Sequence, residues 1–266
     1  MITVGLDVGY DAVRMVAIDH TVSGPALHRI GAQSYHIPYS PEHLFDQPDE
    51  LTSAIRTVIE TYGDPGWPVT IGIRNRFATF LMPQVEKRMK GNKREEWLRW
   101  EAGHLVDDSL DHYILESDLM GYQTDQTEDI FLVAARRDAV ETLQSLAEAA
   151  GIAPAAMTVA SIALINAFEK SYAPSDRETA ALVHIEQACV DIIFLNDAQI
   201  NLAVMPLDQG SGIASGLRSF GSQLKFLINQ MPEEDAPNTV YVSGAQTRLQ
   251  KLCSEWGEQL NRRVTL

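Results

Sequence analysis

The chain has 266 residues, 45% hydrophobic and 8% aromatic, with 21 Lys+Arg against 36 Asp+Glu for a formal charge of −15. That length holds one large domain or two modest ones with a real core. The charge excludes sequence-independent nucleic-acid binding by the whole surface, because neutralising phosphates needs a basic face. Cys189 and Cys253 lie 64 positions apart, which is neither a disulfide framework nor a zinc spacing and points to a reducing compartment. The opening Met1-Ile-Thr-Val-Gly-Leu-Asp7 has no basic, then apolar, leader pattern. The strongest apolar stretches (180–183, 192–195, 157–168) fall short of the about 18–20 residues that a membrane helix needs.

In chain order, Val4, Leu6 and Val8 alternate with Gly5, Asp7 and Gly9, and Val13, Met15 and Ala17 alternate again after Gly9-Tyr-Asp-Ala12. This predicts a β-hairpin, followed past the Ser-Gly-Pro turn by a third strand over 26–35. A helix begins near Pro48-Asp-Glu50. Leu51, Ala54, Ile55, Val58 and Ile59 recur at helical spacing, and Gly63-Asp-Pro-Gly66 ends it. Strands are predicted over 68–73 and 78–82. The run 87–94 then holds five of the 21 basic residues (Lys87, Arg88, Lys90, Lys93 and Arg94) and precedes the helix EEWLRWEAGHLV. Strands follow over 112–121 and 129–135, a helix over 138–150 stopped by Gly151, and a helix over 158–172. Residues 171–178, polar and carrying a proline, read as a linker.

Past that linker the opening pattern returns. Leu6-Asp7-Val8-Gly9 falls on Val183-His184-Ile185-Glu186 without a gap, and Val13 falls on Val190. A strand over 199–205 takes the place of the earlier third strand. The chain therefore reads as two copies of one hairpin-plus-strand unit, each followed by a helix. A tight turn with exposed backbone N–H groups is an anion cradle, and a carboxylate at the end of the first strand holds a divalent cation through water. The second copy has lost that chemistry, because Glu186 puts a carboxylate where backbone must approach phosphate. Two like charges at about 4 Å repel by about 4 kcal/mol near a surface.

The hairpin VGLDVGYDAVR and its echo resemble the phosphate-binding strands of the actin-like ATPase superfamily. The middle of the chain (LRWEAGHLVDDSLDHYILESDLMG, then IFLVAARRDAVETLQSLAEAAGIAPAAMTVASIALINAF) resembles the type IV pilus assembly protein PilM. It also resembles the cytoplasmic part of the type II secretion protein GspL. TVYVSGAQTRLQKLCSEWGEQLNRRV is similar to the family's adenosine-side strand, Gly turn and helix. The resemblance runs over nearly the whole chain and rests on the order of these blocks.

It implies an α/β, ribonuclease H-like, actin-like fold. Subdomain 1A would comprise 1–82 plus 158–173, an inserted 1C-type subdomain 83–157, and subdomain 2A 176–266, with subdomain 2B largely absent between Leu207 and Thr239. It implies a scaffold at the cytoplasmic face of the inner membrane. The expected partner is a membrane-anchored platform protein, met through a PilN-like peptide, or a secretion ATPase, with a homodimer as a further arrangement.

The departures lie in the site. The family's second hairpin carries Asp-x-Gly, where this chain has His184-Ile185-Glu186, and its adenosine turn is Gly-Gly, where this chain has Ser243-Gly244-Ala245. Asp7, Gly9, Tyr10, Asp11, His184, Glu186, Ser243, Gly244 and Ala245 are thus expected to form a degenerate nucleotide site. The sequence stops at Val264-Thr-Leu266, before a final helix expected to return to subdomain 1A; a membrane span soon after Leu266 would point to the GspL type and a terminal helix to the PilM type.

No catalytic residue, metal site or cofactor is expected. ATP and Mg²⁺ enter only under the alternative of an active ATPase; a filament former of the FtsA kind is the other alternative. Lys87, Arg88, Lys90, Lys93 and Arg94, with Trp97 and Trp100 three apart on one helix side, are candidates for partner or anionic-lipid contact. The alternative reading of the tryptophans is core packing. Gln209-Gly-Ser-Gly212-Ile-Ala-Ser-Gly216 lacks GxGxxG spacing and reads as a strand-to-helix turn. The seven His residues make no HExxH, and there is no Walker A loop and no GxSxG.

Overall fold

The computed structural model describes residues 1–36, 43–172, 179–187, 189–196, 200–207, 213–244 and 249–266. The chain divides into two compact units. Unit one comprises Met1–Ala78, Asp111–Ile114 and Ala135–Ala163; unit two comprises Thr79–Leu110, Leu115–Ala134 and Leu164–Leu266.

In unit one, β1 (Ile2–Val8), β2 (Ala12–Thr21) and β3 (Gly24–Ser34) run antiparallel in sequence order. The period-two alternation buries Val4, Leu6, Val8, Val13, Met15 and Ala17 on one face. Helix α1 (Pro48–Tyr62) has Pro48 in its first turn and Asp49 and Glu50 beside its positive end, all favourable there. Its stripe of Leu51, Ala54, Ile55, Val58 and Ile59 is buried. Strand β4 (Val69–Ile73) returns parallel to β1, pairing Asp7 with Gly72.

The chain then leaves this sheet. After a 3-10 turn at Asn75–Phe77 come β5 (Ala78–Leu81), β6 (Gln84–Glu86), α2 (Asn92–Ala102), β7 (Tyr113–Gln123) and β8 (Thr127–Arg136). These strands make a separate four-stranded sheet, over which Val85, Leu98, Ala102, Ile130 and Leu132 form a small core. Helix α3 (Arg137–Ala149) comes next, then β9 (Ala156–Val159), which pairs parallel to β4 and completes the order β3-β2-β1-β4-β9. Arg56 on α1 donates to the Ala149 carbonyl at the end of α3 at 2.7 Å.

Unit two repeats the pattern. Strands β10 (Ala180–Ile185), β11 (Cys189–Leu195) and β12 (Ile200–Pro206) are antiparallel. They are followed by α5 (Ile213–Gln230), β13 (Thr239–Gly244) parallel to β10, α6 (Leu249–Leu260) and β14 (Arg263–Thr265). The order β12-β11-β10-β13-β14 copies that of the first sheet. Val183, Ile185, Val190 and Ile192 pack with Phe220 and Leu224 of α5 and Trp256 of α6.

The duplicated actin-like topology is as the sequence predicts, and α5 is the only element between β12 and β13 among the described residues. The four-stranded sheet is formed by β5 to β8, which lie between β4 and α3 in the chain. Residues 158–172, expected to be all helix, begin in β9, and helix α4 spans Ala160–Tyr172. Residues 173–178 of the expected linker lie outside the described residues.

Candidate functional site: two hairpin turns of one geometry

Each sheet presents the same turn at the end of its first strand. In the first, Asp7 faces Arg14 and Val8 faces Val13, and the Gly9 N–H donates to the Ala12 carbonyl at 2.9 Å. In the second, His184 faces Asp191 and Ile185 faces Val190, and the Glu186 N–H donates to the Cys189 carbonyl at 3.0 Å. Residue for residue, Asp7 corresponds to His184 and Gly9 to Glu186.

The first turn contains a side chain that the sequence reading did not single out. Arg74, one residue past β4, is 5% exposed. Its Nη2 lies 2.9 Å from Asp7 Oδ1 and its Nε donates to the Val8 carbonyl at 3.1 Å. Its Cζ stands 5.4 Å from the centre of the Tyr10 ring, a cation–π geometry. On the other side of the turn, Arg14 Nη2 meets Asp11 Oδ2 at 2.6 Å. Burial pulls the Arg14 guanidinium down, but the hydrogen bond and charge of Asp11, with the charge of Asp7, more than offset it and hold Arg14 above its ordinary value. Gly9 sits between the two guanidiniums: a Cβ there would lie 2.7 Å from Arg74 Nη2 and 2.9 Å from Arg14 Nη1. The chain next to Arg74 is anchored too, since buried Asn75 accepts the Ser161 N–H at 2.9 Å.

The second turn is built from different chemistry. His184 Nδ1 is 2.9 Å from Ser243 Oγ across the β10–β13 pairing, and its Nε2 is 3.9 Å from Glu186 Oε1. The Cys189 thiol faces Glu186 Oε2 at 3.9 Å, and Glu186 and Asp191 are both buried. Gly244 has φ +136°, and a Cβ there would stand 2.1 Å from the Ile185 carbonyl oxygen, so only glycine fits. Ala245 lies outside the described residues, as does most of the expected turn at 209–212.

The structure thus assembles Asp7, Gly9, Tyr10 and Asp11 around Arg74 and Arg14 in unit one, and His184, Glu186, Ser243 and Gly244 together in unit two. Arg74 was legible only as an Arg directly after the buried strand VTIGI; its aim at Asp7 depends on β4 lying beside β1.

The basic run does not behave as one patch. Arg88 is paired with Glu86 and Arg94 with the buried carboxylate of Glu128, while Lys90 and Lys93 are exposed. The two tryptophans part company. Trp97 packs against the small core of the insertion, and Trp100 is 60% exposed with its ring 4.4 Å from that of His104.

Unit one also holds a cavity of about 420 Å³ lined by residues that include Leu44, Phe45, Arg76, Phe77, Arg136 and Thr142. Phe45 and Phe77 stack there with centroids 5.2 Å apart. On its rim, the hydrogen bond from Arg136 holds the Asp138 carboxyl below its ordinary value. Among the described residues no group of three or more His, Cys, Asp or Glu stands together as a metal cluster, and no helix is long and apolar enough to cross a membrane.

Comparison with known proteins agrees with this architecture. The sequence model of the family described as type IV pilus assembly protein PilM matches residues 5–204. A solved "PilM-PilN type IV pilus biogenesis complex" superposes with a TM-score of 0.82 at 18% identity, covering 99% of this chain and 87% of that one. The ethanolamine utilization protein EutJ from Carboxydothermus hydrogenoformans gives 0.57 at 12% identity, over 100% and 84% of the two chains. The cytoplasmic domain of EpsL, an inner membrane component of the type II secretion system of Vibrio cholerae, gives 0.50 at 9%, over 92% and 83%. No curated protein sequence matches the chain.

Proposed function

Since the chain belongs to the family of the type IV pilus assembly protein PilM, we propose that it is an actin-like platform component of such a machine that holds a partner peptide and does not turn over ATP. The observation that carries the second half is Arg74. A nucleotide in the first turn needs Asp7 free to organise a hydrated cation and the backbone at Gly9 open to a phosphate. Instead a buried guanidinium neutralises Asp7 and lies against Gly9. In the second turn Glu186 stands at the position of Gly9, and its charge opposes a phosphate. The residues present do not fit Mg-ATP, so no hydrolytic step is drawn from them.

The partner reading rests on the family and on the solved relative, which is a complex with PilN. By that likeness the ligand is the N-terminal cytoplasmic segment of a PilN-type, membrane-anchored protein. The cavity with the Phe45–Phe77 stack is a candidate seat in unit one for a short peptide with an aromatic or aliphatic residue, and Asp46, Arg76, Arg136 and Asp138 around it suit polar and charged groups. The protein would then work on the cytoplasmic side, peripheral to the inner membrane, and the exposed Trp100, Lys90 and Lys93 remain a second contact surface.

Thermal unfolding tests both halves. Mg-ATP at about 100 times a micromolar Kd would stabilise a functional site by about 2.7 kcal/mol. The expected result is no shift with millimolar Mg-ATP and an upward shift with the PilN-type peptide, abolished by Phe77→Asp. A clear shift with Mg-ATP would show a working nucleotide site and overturn that half of the reading, and release of phosphate would then identify an active ATPase. No shift with the peptide would remove the partner assignment.

A further inference from the structure

Two neighbouring residues at the end of β4 reach in different directions and anchor two distant parts of unit one. In the order β1-β4-β9 the end of β4 lies between the first hairpin turn, which follows β1, and the start of α4, which follows β9. Arg74 has an extended backbone, φ −60° and ψ 142°, so its side chain and that of Asn75 leave on different sides. Arg74 goes to Asp7 and the Val8 carbonyl. Asn75 goes to α4, where its Oδ1 accepts the Ser161 N–H at 2.9 Å. That bond is an N-cap supplied from 86 residues away. Val159, the residue before α4, has no side-chain acceptor, and the Ser161 hydroxyl is buried without a hydrogen-bond partner among the described residues. At 1% exposure Ser161 leaves its N–H dependent on a protein acceptor. The turn that follows ties both backbones, since the Phe77 N–H donates to the Arg74 carbonyl and the Ala78 N–H to that of Asn75.

We propose that Arg74 and Asn75 form a mechanical relay, in which the state of the first turn fixes the start of α4 and so the hold of that helix on the second sheet. Helix α4 carries the chain from unit one into unit two: residues up to Ala163 belong to the first and those from Leu164 to the second. Its Ile165 and Phe168 are buried with Ala180, Leu182 and Ile193, and Phe168 and Tyr172 close on Tyr241. An event that draws Asp7 away obliges the buried guanidinium of Arg74 to find another acceptor. Asn75 moves with it, because one short tied turn carries both, and the cap on Ser161 opens. Ile165 lies one helical turn beyond Ser161, so fraying from the cap reaches the residues that pack in unit two. Asn75 is thus a positioning residue, and the first turn, unsuited to Mg-ATP, serves as one end of the relay.

Native-state hydrogen exchange on the intact chain tests the relay. The reporting amides are Leu164 and Ile165, the first to be bonded within α4, and the reference is Ile192 of β11, fully buried in the main core of unit two. Asn75→Ala is expected to speed exchange at the reporting amides about fivefold, as loss of an N-cap does, and to leave Ile192 unchanged. Asn75→Asp keeps an acceptor and should restore most of the protection. Asp7→Asn should also speed exchange at Leu164 and Ile165, yet add nothing there in the Asn75→Ala background, where the link is already cut. Val58→Ala, a fully buried change on α1, loosens unit one without touching the relay and should leave both amides as they were. Unchanged α4 exchange in Asp7→Asn, additive effects in the double variant, or an equal effect of Val58→Ala would overturn the proposal. So would equal losses in Asn75→Ala and Asn75→Asp. Where Asp7→Asn does not fold, Arg74→Lys, which keeps the charge and gives up the Nε bond to Val8, takes its place with the same expectations. No PilN-type peptide enters these measurements, so the relay and the partner assignment stand or fall separately.

Discussion

The Asp7–Arg74 pair makes an asymmetric prediction because its members are unequally buried: the Arg74 side chain is 6% exposed and that of Asp7 41%. Removing one partner of a buried pair costs about 3–5 kcal/mol when the remaining charge is stranded. Asp7→Asn takes the carboxylate charge away from the buried guanidinium, which also meets the Val8 carbonyl and the Tyr10 ring; a cost of about 2–3 kcal/mol is expected. Arg74→Met removes the buried charge and leaves a carboxylate that water already reaches, so about 1–2 kcal/mol is expected, mainly the lost hydrogen bonds. The double variant strands nothing and should cost no more than Arg74→Met alone, giving a coupling of about 2 kcal/mol. With two units in the chain, global melting does not report one of them cleanly. Native-state hydrogen exchange at the β1 and β2 amides isolates unit one. If the single effects add to within about 0.5 kcal/mol, or if Arg74→Met costs more than Asp7→Asn, the turn is not held as an ion pair around a buried arginine.

Other expectations follow from single positions. Gly244→Ala meets both the φ of +136° and the Ile185 carbonyl at 2.1 Å; a loss of about 3 kcal/mol or more from unit two is expected, and normal exchange protection in β13 would contradict it. Trp256→Ala, at 1% exposure, should cost about 3–5 kcal/mol, and Trp100→Ala less than about 0.5, as measured by denaturant titration; equal costs would mean that Trp100 is packed. Burial pushes the Cys253 thiol above its ordinary value. The folded chain then holds this proton to higher pH than the unfolded one, so its contribution is whole below about pH 8.5 and declines as pH rises beyond that. Cys253→Ala should flatten the alkaline decline in stability, and an unchanged slope would place its cause elsewhere.

Features of short range were readable before the structure was known. The alternation in VGLDVGYDAVRMVAI and its return at 183–195 set both hairpins in correct register, because strand burial is written locally with a period of two. The stripe of α1 and its Pro48 entry were equally legible. What escaped depends on partners far along the chain. Strand β9 has four residues that are mostly not buried and is a strand only because β4 offers an edge; next to a strong helical pattern it reads as the start of that helix. β6 and β14, three residues each, are too short to show a period. Arg74 belongs to this class as well: sequence places an arginine after a strand, and only the parallel β1–β4 pairing aims it at Asp7. The two tryptophans divide for a finer reason. Three residues on a helix advance about 300°, so side chains that share a general side need not share a neighbour, and the edge of the small core falls between Trp97 and Trp100.

A glycine in a strand-to-strand turn of this kind is commonly taken as the footprint of a phosphate, the residue kept small so that a ligand can come close. At position 9 a Cβ would meet the protein's own atoms: the Ala12 carbonyl oxygen at 2.9 Å, with Arg74 Nη2 at 2.7 Å and Arg14 Nη1 at 2.9 Å. The small residue at Gly9 is therefore required by the turn's own packing, whether or not a nucleotide binds there. Intact glycine in one hairpin and glutamate in its twin then need not mark a half-surviving ATP site.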